Sequence, residues 1–96
     1  MGRQWSYQAL YNSVLHLQDD GARYLVVYDF KGKSSGELPN MFFRHLSRGI
    51  EKGLDINRVQ KSVCECDLGG ATFLERILED FNANFVTYQV VKLLES

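Results

Sequence analysis

A chain of 96 residues with a formal net charge of −1 has the length of one domain. Its 45% hydrophobic fraction, with six Phe and five Tyr, is enough for a packed core and argues against disorder. Two Cys exclude a disulfide framework and point to a reducing, cytoplasmic setting, and no run nears the ~18 apolar residues of a membrane span.

Apolar side chains at Tyr7, Leu10, Tyr11, Val14, Leu15 and Leu17 recur close to the helical repeat, which predicts a helix over 4–18. Asp19-Asp20-Gly21 ends it, with Gly21 suited to a C-terminal cap. Tyr24-Leu25-Val26-Val27-Tyr28 is nearly all apolar and rich in strand formers, the pattern of a central strand covered on both faces. Asp29 stands where the chain leaves that strand. Residues 30–37 form a loop broken by Gly32, Ser34, Ser35 and Gly36.

Leu38-Pro39 opens a second helix, which Gly53 closes. Its apolar positions Leu38, Phe42, Leu46 and Ile50 lie four apart. Arg44, Arg48 and Lys52 share that spacing but are displaced by roughly 200°, so they line the outer face. Asn57–Gln60 and Val63–Cys66 read as two short strands around Lys61-Ser62. A third helix follows Gly69-Gly70, with Thr72 and Glu75 at capping-box spacing and an apolar face of Phe73, Leu74, Ile77, Leu78 and Phe81. Asn82-Ala83-Asn84 breaks it, and Phe85 to Leu93 is the last strand. After the leading helix the order is strand, helix, strand, strand, helix, strand. That order predicts an α+β, ferredoxin-like βαββαβ sandwich over 23–96, preceded by an N-terminal helical extension over 1–22.

The net charge hides an asymmetry. Residues 31–61 hold seven basic and three acidic side chains, net +4, whereas the rest of the chain is −5. One surface can therefore meet a polyanion while another stays acidic. Arg44, Arg48 and Lys52, spaced ~6 Å per step along the helix axis, suit successive phosphates, unless they are only a solvated face. Arg58 adds a basic contact from the sheet. Tyr28 either stacks on a base or packs in the core.

Other chemistry is poorly supported. Gly32-Lys33-Ser34 is no phosphate loop, because the first Gly of that motif falls on Val27 inside the strand. Cys64 and Cys66 share one strand face, but four zinc ligands at suitable spacing are missing, so both read as buried strand residues. Neither His16 nor His45 has a nucleophile near it in sequence. Asp29 has two readings. It either caps the following loop through backbone N–H groups, or it is an oxygen ligand for Mg²⁺ or Mn²⁺. A single Asp makes a poor site, and two copies joined by a two-fold axis make a better one.

Residues 53–68 carry a further pattern: Gly53-Leu54-Asp55, then Arg58-Val59-Gln60-Lys61-Ser62-Val63-Cys64-Glu65-Cys66-Asp67-Leu68. It resembles the signature of the CRISPR-associated Cas-two family of small spacer-acquisition proteins, in which Arg-Val-Gln-x-Ser-Val-Phe-Glu follows a Gly and a short spacer. The strand Leu25–Phe30 is similar to that family's opening strand, and the likeness in element order covers about three-quarters of the chain. Cys64 stands where the family usually has Phe, and the leading 22 residues are additional. The resemblance implies a homodimer that partners the CRISPR integrase and holds duplex DNA or RNA. It also implies a metal-dependent endonuclease in some members. By position Asp29 is then the catalytic, metal-binding Asp facing its copy, Tyr28 its neighbour, and Arg58 the Arg that opens the second strand. The contrasting expectation is a catalytically silent ferredoxin-like interaction module, or a toxin-like relative of the same fold.

Overall fold

The computed structural model describes residues 6–30 and 40–90. The elements are α1 (Gln8–Leu15), β1 (Arg23–Phe30), α2 (Asn40–Glu51), β2 (Ile56–Gln60), β3 (Val63–Cys66), α3 (Leu68–Asp80) and β4 (Ala83–Val90). The strands form one antiparallel sheet in the order β2-β3-β1-β4. This is the ferredoxin-like arrangement: each helical crossover skips one strand position, and the two halves interleave. The loop expected from Phe30 starts later, since Phe30 ends β1; its remainder over 31–37, the Leu38-Pro39 helix start and the tail of the last strand lie outside the described residues.

Alternation along each strand sorts its side chains between two faces. On one face Val26, Tyr28 and Phe30 of β1, Cys64 and Cys66 of β3 and Ile56 of β2 are buried beneath the helices. Phe42 of α2 reaches down onto the rings of Tyr28 and Phe30, at 5.5 and 5.0 Å between centroids. Phe73, Leu74, Ile77 and Leu78 of α3 complete the core. Gly49 is the third buried position of α2, because a Cβ there would stand 2.8 Å from the Phe73 ring. The inner face of α2 is thus Phe42, Leu46 and Gly49, and Ile50, expected inside, is exposed.

The leading helix is shorter than expected, and it joins the helical layer. Tyr7, Leu10, Tyr11 and Val14 are its packed face, whereas Leu15 and Leu17 are exposed. The Tyr7 ring stands edge-on to His45 at 4.6 Å, and its hydroxyl donates to Asp80 at 2.9 Å. Tyr11 donates to the Lys52 carbonyl at 2.6 Å. Gly21 does not cap α1, which ends at Leu15. It takes a positive φ of 76° in the turn entering β1, where the carboxylates of Asp19 and Asp20 accept from the Gly21 and Ala22 amides.

A second correction concerns α3. It starts before the two glycines, with Asp67 as N-cap accepting from the Gly70 amide at 2.8 Å. Thr72 lies inside the helix, donating to the Leu68 carbonyl, and Glu75 accepts from Thr87 of β4. The last strand likewise starts earlier than expected, since Ala83 and Asn84 already pair with Phe30 and Asp29.

The third correction concerns β1. It is central, as expected, but among the described residues only one of its faces is covered. The other presents Leu25, Val27 and Asp29, flanked by Val63 of β3 and by Val86, Tyr88 and Val90 of β4. Val86 and Tyr88 are 52% and 55% exposed, so the open sheet face is a contiguous apolar surface.

Candidate nucleic-acid interface

A shallow groove of about 630 Å³ runs along the outer face of α2, lined by Asn40, Phe43, Arg44, Ser47, Arg48 and Glu51. Helical spacing sets Arg44 and Arg48 one turn apart on this face. Arg44 donates to the Met41 sulfur at 3.8 Å, and among the described residues neither arginine is ion-paired. A guanidinium carries five donors in a planar fork, a geometry that matches a phosphate.

Arg58 joins them from the edge strand β2. Its register opposite buried Cys64 turns it toward the helices, and its guanidinium sits over the Phe43 ring at 4.7 Å. A longer contact, 3.5 Å, runs from Arg58 to the Lys61 carbonyl. Of the four expected basic contacts, Arg44 and Arg48 line the groove, Arg58 stands against Phe43 beside them, and the fourth is turned away. Lys52 lies beyond the end of α2 with its ammonium 5.6 Å from the Tyr11 ring, turned toward α1. Phe43 was missed by sequence reasoning. Its only sequence signal was an aromatic flanking the apolar stripe beside Arg44, and nothing in that pattern announces β2 as its neighbour.

Tyr28 takes the second of its two readings. It is 3% exposed, its hydroxyl donates to the Lys61 carbonyl at 3.1 Å, and burial holds the phenol neutral by raising its pKa. A ring enclosed by Phe30 and Phe42 has no face for a base, which corrects its expected role as a nucleic-acid contact. Asp29 does lie at the exposed end of the strand, on the open sheet face opposite Asn84. It therefore avoids the desolvation cost of a buried carboxylate. Among the described residues no group of three or more His, Cys, Asp or Glu side chains could hold a metal ion.

His45 is wedged between Tyr7 and Phe81, and burial followed by the Arg44 and Arg48 charges pushes its pKa down. It is a packed ring between the helices rather than a base aimed at a nucleophile. Arg23 forms a network that sequence reasoning also missed, contacting Asp55 at 2.6 Å and Glu65 at 3.2 Å. Those carboxylates, Asp55 foremost, hold the guanidinium firmly protonated.

Cys64 and Cys66 are free thiols, fully buried under the helices. Burial pushes the Cys66 thiol up to about 12 and raises Cys64 as well. Since the thiolate is the reactive form, neither should react with a disulfide reagent in the folded protein at pH 8, and both should react in urea. Titration of free thiols with and without denaturant checks this, and one rapid equivalent in the folded state would contradict the placement.

No helix among the described residues is long and apolar enough to cross a membrane. In comparisons with family models, characterised proteins and solved structures, the chain matches none.

Proposed function

We propose that this chain binds the phosphate backbone of nucleic acid through the α2 groove, as a homodimer of the Cas-two type acting with an integrase in CRISPR spacer acquisition. The observation that carries the reading is the pair Arg44 and Arg48 lining one exposed groove, with Arg58, from a strand distant in sequence, against the Phe43 ring of the same lining. Arginine forks match phosphate geometry, and backbone contacts of this kind supply affinity without reading sequence. The Arg-Val-Gln-x-Ser-Val resemblance at 58–63 supports the same assignment, because its Arg is the one that stands against Phe43 of the groove. The open sheet face supports the dimer, as a second copy there would bury Val27, Val63, Val86 and Tyr88.

Among the described residues of one chain the donors do not fit a resident Mg²⁺ or Mn²⁺. Asp29 offers a single carboxylate beside Asn84, and such ions take an octahedral set of oxygens. Endonuclease action is therefore part of this reading only for a dimer that brings two Asp29 side chains together.

Labelled duplex DNA and RNA, titrated by fluorescence anisotropy at two salt concentrations, test the proposal. Arg44→Glu with Arg48→Glu should weaken binding at least about tenfold at low salt and flatten the slope of log K against log salt by about 2. Wild-type protein that binds neither strand at low salt would sink the reading in favour of the silent interaction module. The same oligonucleotides incubated with Mg²⁺ or EDTA divide scaffold from nuclease. Cleavage that needs the metal and is lost in Asp29→Ala supports the paired site, and cleavage that survives Asp29→Ala removes it.

A further inference from the structure

The pairing of Arg58 with Phe43 is more specific than a basic patch requires. A phosphate contact needs only a charge in reach, and a mobile arginine would serve. Here the guanidinium is held over an aromatic ring at 4.7 Å, exposed to solvent, with no carboxylate partner among the described residues. A planar guanidinium beside a ring, on an exposed residue, can offer its solvent side to a further flat group. Such a platform stacks on the π-face of a nucleobase, which is how single strands are gripped without sequence preference.

The surroundings suit a strand with splayed bases. Phe43 lines the same groove as Arg44 and Arg48, so phosphates held by those two arginines would pass beside the platform. Asn40 and Ser47 add neutral hydrogen-bonding groups along the wall, and Glu51 puts a carboxylate in the lining that limits the anionic path. A duplex keeps its bases stacked inside and offers this platform nothing beyond its backbone.

We infer that the α2 groove prefers single-stranded nucleic acid, with one unpaired base stacked on the Arg58 guanidinium above Phe43. This deepens the nucleic-acid reading proposed above and rests on it.

The test uses anisotropy titrations of the full chain with three probes of equal length: a single-stranded oligonucleotide, a fully abasic strand and a duplex. Arg58→Lys keeps the charge but removes the planar fork, so it separates stacking from electrostatics. Wild-type protein should bind the base-bearing strand about tenfold more tightly than the abasic one, and Arg58→Lys should remove most of that difference. Affinity for the abasic strand should stay within about twofold, because its phosphates still meet three cations. Phe43→Leu, which keeps an apolar side chain against Phe42, should reproduce the loss if thermal denaturation shows it folded. Equal wild-type affinity for base-bearing and abasic strands would overturn the platform while leaving phosphate binding intact. So would an Arg58→Lys protein that retains the preference. Failure to bind any of the three probes would instead overturn the underlying reading.

Discussion

Replacing Phe42 by Ala should destabilise the fold by about 4 kcal/mol, within the range measured for large aromatic truncations in cores. Phe42 is fully buried, and it contacts the β1 rings, its helical neighbour Phe43 and Phe81 at the end of α3 at once. Truncation removes apolar area and leaves a cavity whose walls are themselves held. Tyr28 is pinned by its hydrogen bond to Lys61, and Phe30 by the β1–β4 pairing. A domain of this size has a total stability of only ~5–15 kcal/mol, so the variant should unfold at markedly lower urea. Urea denaturation followed by circular dichroism measures this through the midpoint, with the slope unchanged. A loss below about 1.5 kcal/mol would mean that α2 does not pack on β1 through this ring.

Gly70→Ala should cost about 3 kcal/mol, by overpacking rather than by cavity formation. A Cβ at this position would stand 2.5 Å from the Asp55 carbonyl oxygen, 2.8 Å from Ile56 Cγ1 and 3.1 Å from Cys66 Cβ. The nearest of these is backbone, at the entry to β2, and it cannot rotate away. The first turn of α3 would have to lift off the sheet, pulling the Asp67 cap with it. Alanine has the better helix propensity, by about 1 kcal/mol, so propensity alone predicts stabilisation. The same urea titration therefore decides between propensity and close approach, and a more stable variant would show that α3 does not sit this near β2. Gly49→Ala faces a ring edge rather than backbone, at 2.8 Å from Phe73, and should cost less.

The contrast between β3 and α3 shows what sequence reading could and could not reach. β3 was legible to the residue, because Lys61-Ser62 marks the turn before it, and its side chains alternate between half-buried and buried. The start of α3 was misplaced because two glycines look like a break. Only the sheet beneath explains why Gly70 is required inside a helix. β1 failed differently: an apolar run reads as a strand covered on both faces, whereas its open face bears Leu25 and Val27 with no helix above them among the described residues. Burial depends on what packs there, and the strand itself does not encode that.

The candidate site divides along the same line. Arg44 and Arg48 were legible as an outward stripe, since helical geometry fixes their bearing relative to Phe42 and Leu46. Lys52 kept the four-residue spacing but stands beyond Glu51, where the helix has ended and α1 supplies a ring. Tyr28 and Asp29 are neighbours, yet pleating sends one into the core and the other to solvent.

By itself the sequence determined the order of the strands and helices, the ferredoxin-like fold and the concentration of positive charge in residues 31–61. Each of these follows from local periodicity, or from charge counted along the chain. Tertiary structure alone decided that α1 joins the helical layer, that one sheet face stays open among the described residues, and that Arg58 rests on Phe43. Those outcomes depend on contacts between side chains far apart in sequence, where packing and desolvation across the fold, rather than local pattern, set the lowest free energy.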